Sequence, residues 1–351
     1  MANILDIRRR IRSVTNTRQI TKAMKMVSAA KLRRAQDRAL AARPFGQMLT
    51  NVLKSLVSRA EVYDAETGQP RHPLLAQRDE RNILLIVVTG DKGLAGAFNT
   101  NILKAATRFL ESKAGKNIEI EAIGRKGRDF LRRRFPAAEP RVQKQAETSQ
   151  DGNPITIIGE RIGVLNKIEY SLAEDIAQRV IQRYCECDID SVYLLFNEFK
   201  SVIAQRLVVE QILPIEQIGE SAVRQAEELS EEQRERAGEA AKSAGIGLRA
   251  ADTTAMDEAA EKFGTAQVDY IYEQSPADLF KGLLPKYVGV QIYRALLESV
   301  AAEHAARMTA MEAATNNASD MIDSLTLAMN RARQAKITKE IIEIVSGAAA
   351  L

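Results

Sequence analysis

The fold is decided by residues 290–346, which read VQIYRALLESVAAEHAARMTAMEAATNNASDMIDSLTLAMNRARQAKITKEIIEIVS. Neither proline nor glycine interrupts this stretch, so it can form one helix of roughly 85 Å. Residues 1–43 also lack both residue types, and they can form a helix of roughly 65 Å. Helices this long extend beyond an ordinary domain core and gain stability by packing along a shared seam. We therefore expect the two ends of the chain to pair as a shaft.

The second stretch carries a near-heptad seam whose many alanines allow a partner helix to approach closely. The seam comprises Val290, Tyr293, Leu297, Val300, His304, Arg307, Met311, Ala314, Ala318, Met321, Leu325, Ala328, Ala332 and Ala335. The matching stripe near the start of the chain comprises Ile4, Ile7, Ile11, Val14, Ile20, Met24 and Val27. We predict coiled-coil helices within residues 1–60 and 275–351.

Charge is distributed unevenly along the 351 residues, although the net charge is only +4. Residues 1–43 carry twelve lysines and arginines against Asp6 and Asp37. Such a segment indicates an acidic partner, which could be nucleic acid, anionic lipid or an acidic protein collar. A solvated helix face explains the same pattern equally well.

The cysteines, the histidines and the hydropathy of the chain argue against a disulfide-rich, a metal-binding or a membrane-spanning protein. Cys185 and Cys187 cannot build a disulfide framework, which favours a reducing compartment. Only His72 and His304 could assist them in binding a metal, and both lie far away in sequence. The chain has neither an apolar signal core nor an apolar run of the ~20 residues that span a bilayer. We expect a soluble or peripheral protein.

The middle of the chain alternates strand and helix patterns, which predicts an open, Rossmann-like α/β domain over residues 76–215. The predicted strands are Asn82–Thr89, Ile118–Ile123, Pro154–Ile158, Ser191–Phe196 and Ile203–Ile212. The predicted helices are Phe98–Leu110, Arg125–Arg134 and Ser171–Tyr184, the last with a capping box of Ser171 and Glu174.

Residues 218–268 have a different composition, rich in Ala, Glu and Gln and nearly free of aromatics. Helix-start patterns at Ser230 and Thr254, separated by Gly245 and Gly247, predict a helical insertion that is a mobile hairpin or partly disordered.

The loop that follows the first predicted strand raises the question of catalysis. The spacing of Gly90, Gly93 and Gly96 matches neither the dinucleotide fingerprint nor the P-loop, so a tight turn is the favoured interpretation. No catalytic set of side chains stands out, and we expect no enzyme chemistry and no cofactor. Two alternatives stay open: a nucleotide-dependent enzyme with helical arms, and a coiled-coil scaffold whose basic arm binds nucleic acid. The arm has no aromatic for base stacking before Phe45.

Four segments carry a family resemblance: ITKAMKMVSAAK (20–31), GDKGLAGAFN (90–99), EHAARMTAMEAATNNA (303–318) and NRARQAKITKEI (330–341). They resemble the gamma subunit of F-type ATP synthases, in the same order and over nearly the whole chain. Only residues 218–268 depart from the short bacterial pattern.

The resemblance implies an antiparallel coiled coil that enters a ring of alpha and beta subunits. It places the α/β domain against the epsilon subunit and the membrane ring of c subunits. Proton flow then turns the shaft, while nucleotides bind to alpha and beta and no nucleic acid is involved. The implied location is peripheral, on the cytoplasmic face of a bacterial inner membrane, with a thylakoid or another energy-transducing membrane as alternatives.

The resemblance also assigns residues. It implies contacts with beta subunits for Arg307, Arg333, Gln334, Thr338, Glu340, Met24 and Lys25. Arg307 could instead bond across the coiled coil, since it occupies a seam position. The apolar residues Ile337, Ile341, Ile344 and Val345 are expected to guide the shaft tip in an apolar sleeve.

Photosynthetic relatives carry an inserted segment at this place, and in chloroplast members it holds a redox-switched cysteine pair, but residues 218–268 contain no cysteine. Cys185 and Cys187 are therefore expected to be incidental thiols. We expect the insertion to modulate rotation and to be dispensable for assembly.

Overall fold

The computed structural model describes residues 4–57, 72–135, 155–216, 218, 222–246 and 273–349. Its main elements are α1 (Ile4–Val57), β1 (Asn82–Val88), α2 (Phe98–Ser112), β2 (Asn117–Ile123), α3 (Arg125–Arg134), β3 (Ile155–Arg161), α4 (Tyr170–Cys185), β4 (Ser191–Phe199), β5 (Gln205–Leu213), β6 (Ala222–Glu228), α5 (Glu231–Ser243) and α6 (Pro276–Ala349). Short 3-10 helices lie at Pro73–Leu75 and Val164–Asn166. The predicted fold class, an α/β domain on two long helices, is confirmed.

The helices α1 and α6 form an antiparallel pair. The Thr315 hydroxyl donates to the Thr21 hydroxyl at 2.8 Å, and Gly46 lies beside Val290. Residue numbers therefore rise along α1 as they fall along α6. With 54 and 74 residues, the helices are about 80 and 110 Å long.

Each long helix contains a proline in its interior. The stretches free of proline and glycine, residues 1–43 and 290–346, did not predict this. Helix α1 continues past Pro44, and α6 begins ahead of Pro285. A proline inside a helix removes one backbone hydrogen bond and bends the chain. Burial of the flanking turns offsets that cost, because these segments lie on the sheet with several fully buried side chains. Leu284 and Val288 flank Pro285, while Leu53 and Leu56 lie more than two turns beyond Pro44 on α1.

The seam follows the predicted line on α6 more closely than on α1. On α6, Met311 and Ala318 are buried as predicted, whereas Met321 is 53% exposed; on α1, Ile20 and Val27 are 60% and 57% exposed. The buried face of α1 instead follows Thr21, Lys25, Ser28, Leu32, Ala35 and Ala39. Polar side chains occupy part of the contact because they bond across it, which apolar periodicity alone could not reveal.

The sheet has the strand order β3-β2-β1-β4-β5-β6. Strands β1 to β4 pair in parallel, whereas β5 and β6 are antiparallel. Alternate side chains of β1 enter two cores, with Leu84 and Ile86 facing α4 and α6, and Ile83 and Leu85 facing α2 and α5. Helix α6 contributes to both cores, so the domain is fixed to the shaft.

The segment 218–268 differs from the expected helical insertion. Ala222–Glu228 forms a strand that pairs with β5, and α5 carries the predicted capping box of Ser230 and Gln233. The helix start expected at Thr254 lies outside the described residues. A strand within the sheet argues against a dispensable insertion.

The capping box predicted for α4 was wrong. That helix begins at Tyr170, one residue earlier than expected, and its N-cap is Glu169, which makes no side-chain capping bond. The predicted cap, Ser171, therefore lies inside the first turn.

Candidate partner-binding surface of the paired helices

Arg307 lies inside the protein at the junction of α6 and the glycine loop (Gly90–Gly96). Its guanidinium is 2.5 Å from the Glu303 carboxylate and 3.4 Å from the Gly93 carbonyl oxygen, to which it donates. The residue is 9% exposed. The hydrogen bonds of an arginine to a carboxylate and a carbonyl are directional, and they hold its guanidinium in place. Arg307 therefore connects the shaft to the domain.

The glycine loop owes its composition to this close packing. A Cβ on Gly90 would lie 2.8 Å from the Glu303 carboxyl group, and the Gly90 N–H donates to the Asn99 side chain at 2.9 Å. Gly96 has a φ of +56°, which favours glycine. The space that a phosphate would need beside Gly90 is filled by a carboxylate, which supports the interpretation of the loop as a structural turn.

Lys25 is also directed inward. Its ammonium pairs with Glu312 of α6 at 2.6 Å and donates to the Ser243 hydroxyl of α5 at 3.1 Å. The Ser243 hydroxyl in turn donates to Glu312 at 2.9 Å. These three side chains join α1, α5 and α6 at one point. Met24, next to Lys25, is half-buried.

The remaining predicted contact residues lie on the free end segment of α6, defined as residues 333–349. Thr21 faces Thr315, so the first described residue of α1, Ile4, lies opposite about residue 332 by the same register. Beyond that point α6 has no partner helix within the described part of the chain. The predicted contacts Arg333, Gln334, Thr338 and Glu340 are all exposed there.

The apolar side chains of the free end segment are unusually accessible. The predicted tip residues Ile337, Ile341, Ile344 and Val345 are 48%, 54%, 71% and 62% exposed. Glu340 pairs loosely with Lys336 at 3.6 Å, an exposed contact that stabilises the helix little. A bare helix with this much exposed apolar surface indicates a binding surface for a partner.

Charges buried at the domain–shaft junction were missed from sequence. Arg294 pairs with Glu210 of β5 at 2.7 Å, and burial raises the pKa of nearby Glu298 to about 7. Burial, with Arg307, Lys31 and Lys92 nearby, lowers the pKa of His304 to about 4. The sequence does contain a signal for these pairs. Arg294 and Glu298 have opposite charges at i,i+4 spacing, as do Glu303 and Arg307, and such residues are neighbours on a helix.

Two further observations concern the described residues as a whole. None of their helices is long and apolar enough to cross a membrane. Cys185 and Cys187 are both exposed and unpaired with each other.

Known proteins match this chain over nearly its full length. The family model described as ATP synthase matches residues 3–351. An ATP synthase gamma chain from Solibacter usitatus is 49% identical over 350 residues, covering 100% of this chain and 99% of the relative. One from an Anaeromyxobacter species is 43% identical over 353 residues, covering all of both chains.

Solved structures share the fold. A chain of the Euglena gracilis mitochondrial ATP synthase, from an OSCP/F1/c-ring structure, has a TM-score of 0.51 at 20% identity, with 99% of this chain and 94% of that chain covered. A chain of the Tetrahymena thermophila central stalk and c-ring structure has a TM-score of 0.50 at 22% identity, with 84% and 99% covered. Full-length identity to curated relatives decides the family: this chain belongs to the ATP synthase gamma chains.

Proposed function

We propose that this chain is the central rotor shaft of an F-type ATP synthase, turning inside the catalytic ring and coupling it to proton-driven rotation of the membrane c-ring. The observation that carries the proposal is the free end segment of α6, a single exposed helix that extends beyond its partner. Membership of the gamma chain family supplies the context. No observation favours a scaffold that binds nucleic acid.

A shaft must resist twisting, and the paired helices have internal bridges suited to this. The Lys25–Glu312 pair and the Thr21–Thr315 bond join α1 to α6, while Arg307 joins α6 to the glycine loop. A buried ion pair with further hydrogen bonds has a fixed geometry. Torque applied to the α/β domain would thus reach α6 with little slippage.

The contacts with beta subunits would come from the exposed end of α6. Arg333 and Gln334 offer donors to acidic loops, and Thr338 lies one turn further along the face of Gln334. Glu340 would exchange its weak pair with Lys336 for a partner. Lys25 and Arg307 would instead act through rigidity, because their donors are engaged within the chain.

The tip would lie in an apolar sleeve formed by the alpha and beta subunits. The exposed residues Ile337, Ile341, Ile344 and Val345 follow an i, i+4, i+7, i+8 spacing and form one apolar stripe along the helix. Such a surface can slide against an apolar collar without a fixed register, since hydrophobic contact has no directional requirement.

Catalysis would reside in other subunits. The chain would bind the alpha, beta and epsilon subunits and the c-ring, and would lie peripherally on the cytoplasmic face of a bacterial inner membrane. The bacterial origin of the relatives supports this location.

The test is Arg333→Ala with Gln334→Ala, assembled with alpha and beta subunits and assayed for multi-site ATP turnover. The matched control is Asn101→Ala with Lys104→Ala, which removes one amide and one charge from α2, outside the free end segment. We expect normal assembly and reduced turnover for the first variant only, since each lost contact costs about 1.5–3 kcal/mol. Equal turnover in both variants would contradict the assigned role.

A further inference from the structure

A small cavity lies between α1, α6, the glycine loop and the 3-10 helix at Val164–Asn166. Its volume is about 200 Å³. Its charged lining is mostly basic and comprises Lys31, Arg34, Arg38, Lys92, Arg307, Asp91 and Glu303. The cations come from both shaft helices and from the glycine loop, so the cluster exists only in the folded chain.

The two acidic residues of the cavity are already used inside the protein. The Asp91 carboxylate accepts from the backbone N–H of Arg125 at 3.0 Å and of Gly163 at 3.1 Å. The Glu303 carboxylate is paired with Arg307 at 2.5 Å. The neutral N–H donors leave the Asp91 charge in place, so the lining carries five cations against two carboxylates and keeps an excess of three positive charges.

Four of the five cations are exposed side chains. Lys31, Arg34, Arg38 and Lys92 form no hydrogen bond or ion pair with any residue in the described ranges. Like charges that converge on one cavity repel one another, and a bound anion would relieve that repulsion. Their arrangement accordingly favours a negatively charged occupant.

The imidazole of His304 lies near the same positive charges, and they affect its pKa. The pKa of His304 is lowered first by burial, and then by the positive charges of Arg307, Lys31 and Lys92. His304 is thus neutral at pH 7 and adds a polar ring to the wall without adding charge.

We propose that this cavity binds a small phosphate oxyanion, such as inorganic phosphate, pyrophosphate or the phosphate chain of a nucleotide. Its volume is below the ~300 Å³ at which pockets begin to enclose drug-sized ligands. It is too small for a whole nucleotide or for a peptide segment. Asp91 and Lys92 lie in the loop after β1, which ends at Val88, and ligands of open α/β sheets bind beyond the carboxyl ends of the strands.

The site differs from the phosphate loop considered from sequence. A P-loop holds phosphate with backbone N–H groups, whereas here the Gly90 N–H is bound to Asn99. The ligand would instead be held by side-chain cations, and arginine forks suit phosphate oxygens. Recognition would depend on the phosphates alone, so the base of a nucleotide would not matter.

The test is titration calorimetry of the full-length chain with pyrophosphate and with inorganic phosphate at low ionic strength. The variant is Lys31→Gln with Arg34→Gln, and the matched control is Arg8→Gln with Arg12→Gln, which removes the same charge from the same helix outside the cavity. We expect affinity to fall about tenfold or more in the cavity variant and to stay unchanged in the control. Circular dichroism verifies that both variants fold.

Further ligands identify the source of the phosphate. Tripolyphosphate, ATP and GTP should bind with similar affinity if only the phosphate chain is recognised. Absence of pyrophosphate binding at millimolar concentration would overturn the proposal. Equal loss in the cavity variant and the control would also overturn it, because it would reveal unspecific attraction to a basic helix. Binding of an acidic peptide with no competition from pyrophosphate would have the same consequence.

Discussion

Replacing Glu298 by glutamine should remove a pH dependence from the stability of the folded chain. Glu298 is 5% exposed, and its carboxyl oxygen Oε2 has no hydrogen-bond partner within the described residues. Burial is the main cause that raises its pKa to about 7, with Glu198 and Glu210 acting in the same direction. Arg294 and Arg43 act in the opposite direction and lower the pKa.

The size of the effect follows from the two pKa values. A pKa of about 7 in the folded chain and 4.5 in the unfolded chain corresponds to about 3 kcal/mol. Because the folded pKa of Glu298 is the higher one, its stabilising contribution is fully present below pH 4.5. It is lost as the pH rises to 7 and does not change further above that value. Glutamine mimics the protonated form at every pH.

The assay is urea denaturation of the full-length chain and of Glu298→Gln from pH 4.5 to 8.5. The difference in unfolding free energy between the two should grow by about 3 kcal/mol towards pH 7 in favour of the variant. His304 titrates in both proteins and cancels in that difference. Glu343→Gln, on the exposed end of α6, is the control and should leave the pH profile unchanged. A pH-independent difference between wild type and Glu298→Gln would refute the reasoning.

Replacing Lys25 by methionine should destabilise the chain by about 2 kcal/mol, because Glu312 would keep a largely buried charge without its partner; adding Glu312→Gln should restore part of the loss. Deleting residues 222–243 should lower the melting temperature by several degrees, since it removes a strand of the sheet and the helix that bonds to Lys25. Stepwise truncation from residue 351 back to Ile337 should lower multi-site ATP turnover of the assembled complex gradually, because many apolar contacts share the guidance of the tip.

A specific result would contradict each of these three predictions. Additive effects of the Lys25 and Glu312 changes would mean that the pair does not couple the helices. A deletion of residues 222–243 that leaves the melting temperature unchanged would place that segment outside the cooperative core. Abrupt loss of turnover on removing only the last four residues would contradict distributed guidance at the tip.

The long helices and the buried strands could be predicted because their signals are local and strong. Residues 83–88 form a continuous apolar run, and the structure makes them part of a strand buried on both faces. The absence of proline and glycine over residues 290–346 was sufficient for a helix. It was not a necessary condition, since packing carried α6 back through Pro285 to Pro276.

The features that could not be predicted from the sequence depend on contacts between segments that are distant along the chain. The contact of Lys25 with a partner subunit stays a prediction, whereas its bonds to a serine far along the chain and to a glutamate on α6 could not be read from the sequence. Ala222–Glu228 has the polar composition of an insertion, and it becomes a strand because β5 offers a free edge. In both cases the deciding interaction lies across the fold rather than along the sequence.

Rotation itself is the property that most directly tests the assignment of this chain as a rotor shaft. Cys185 and Cys187 are exposed on the α/β domain, so they can be biotinylated to carry a bead while the alpha and beta ring is fixed to a surface. We predict that ATP drives the bead in one direction, and that Arg333→Ala with Gln334→Ala weakens the torque. An assembled complex that hydrolyses ATP at several sites while the bead stays still would contradict the assignment.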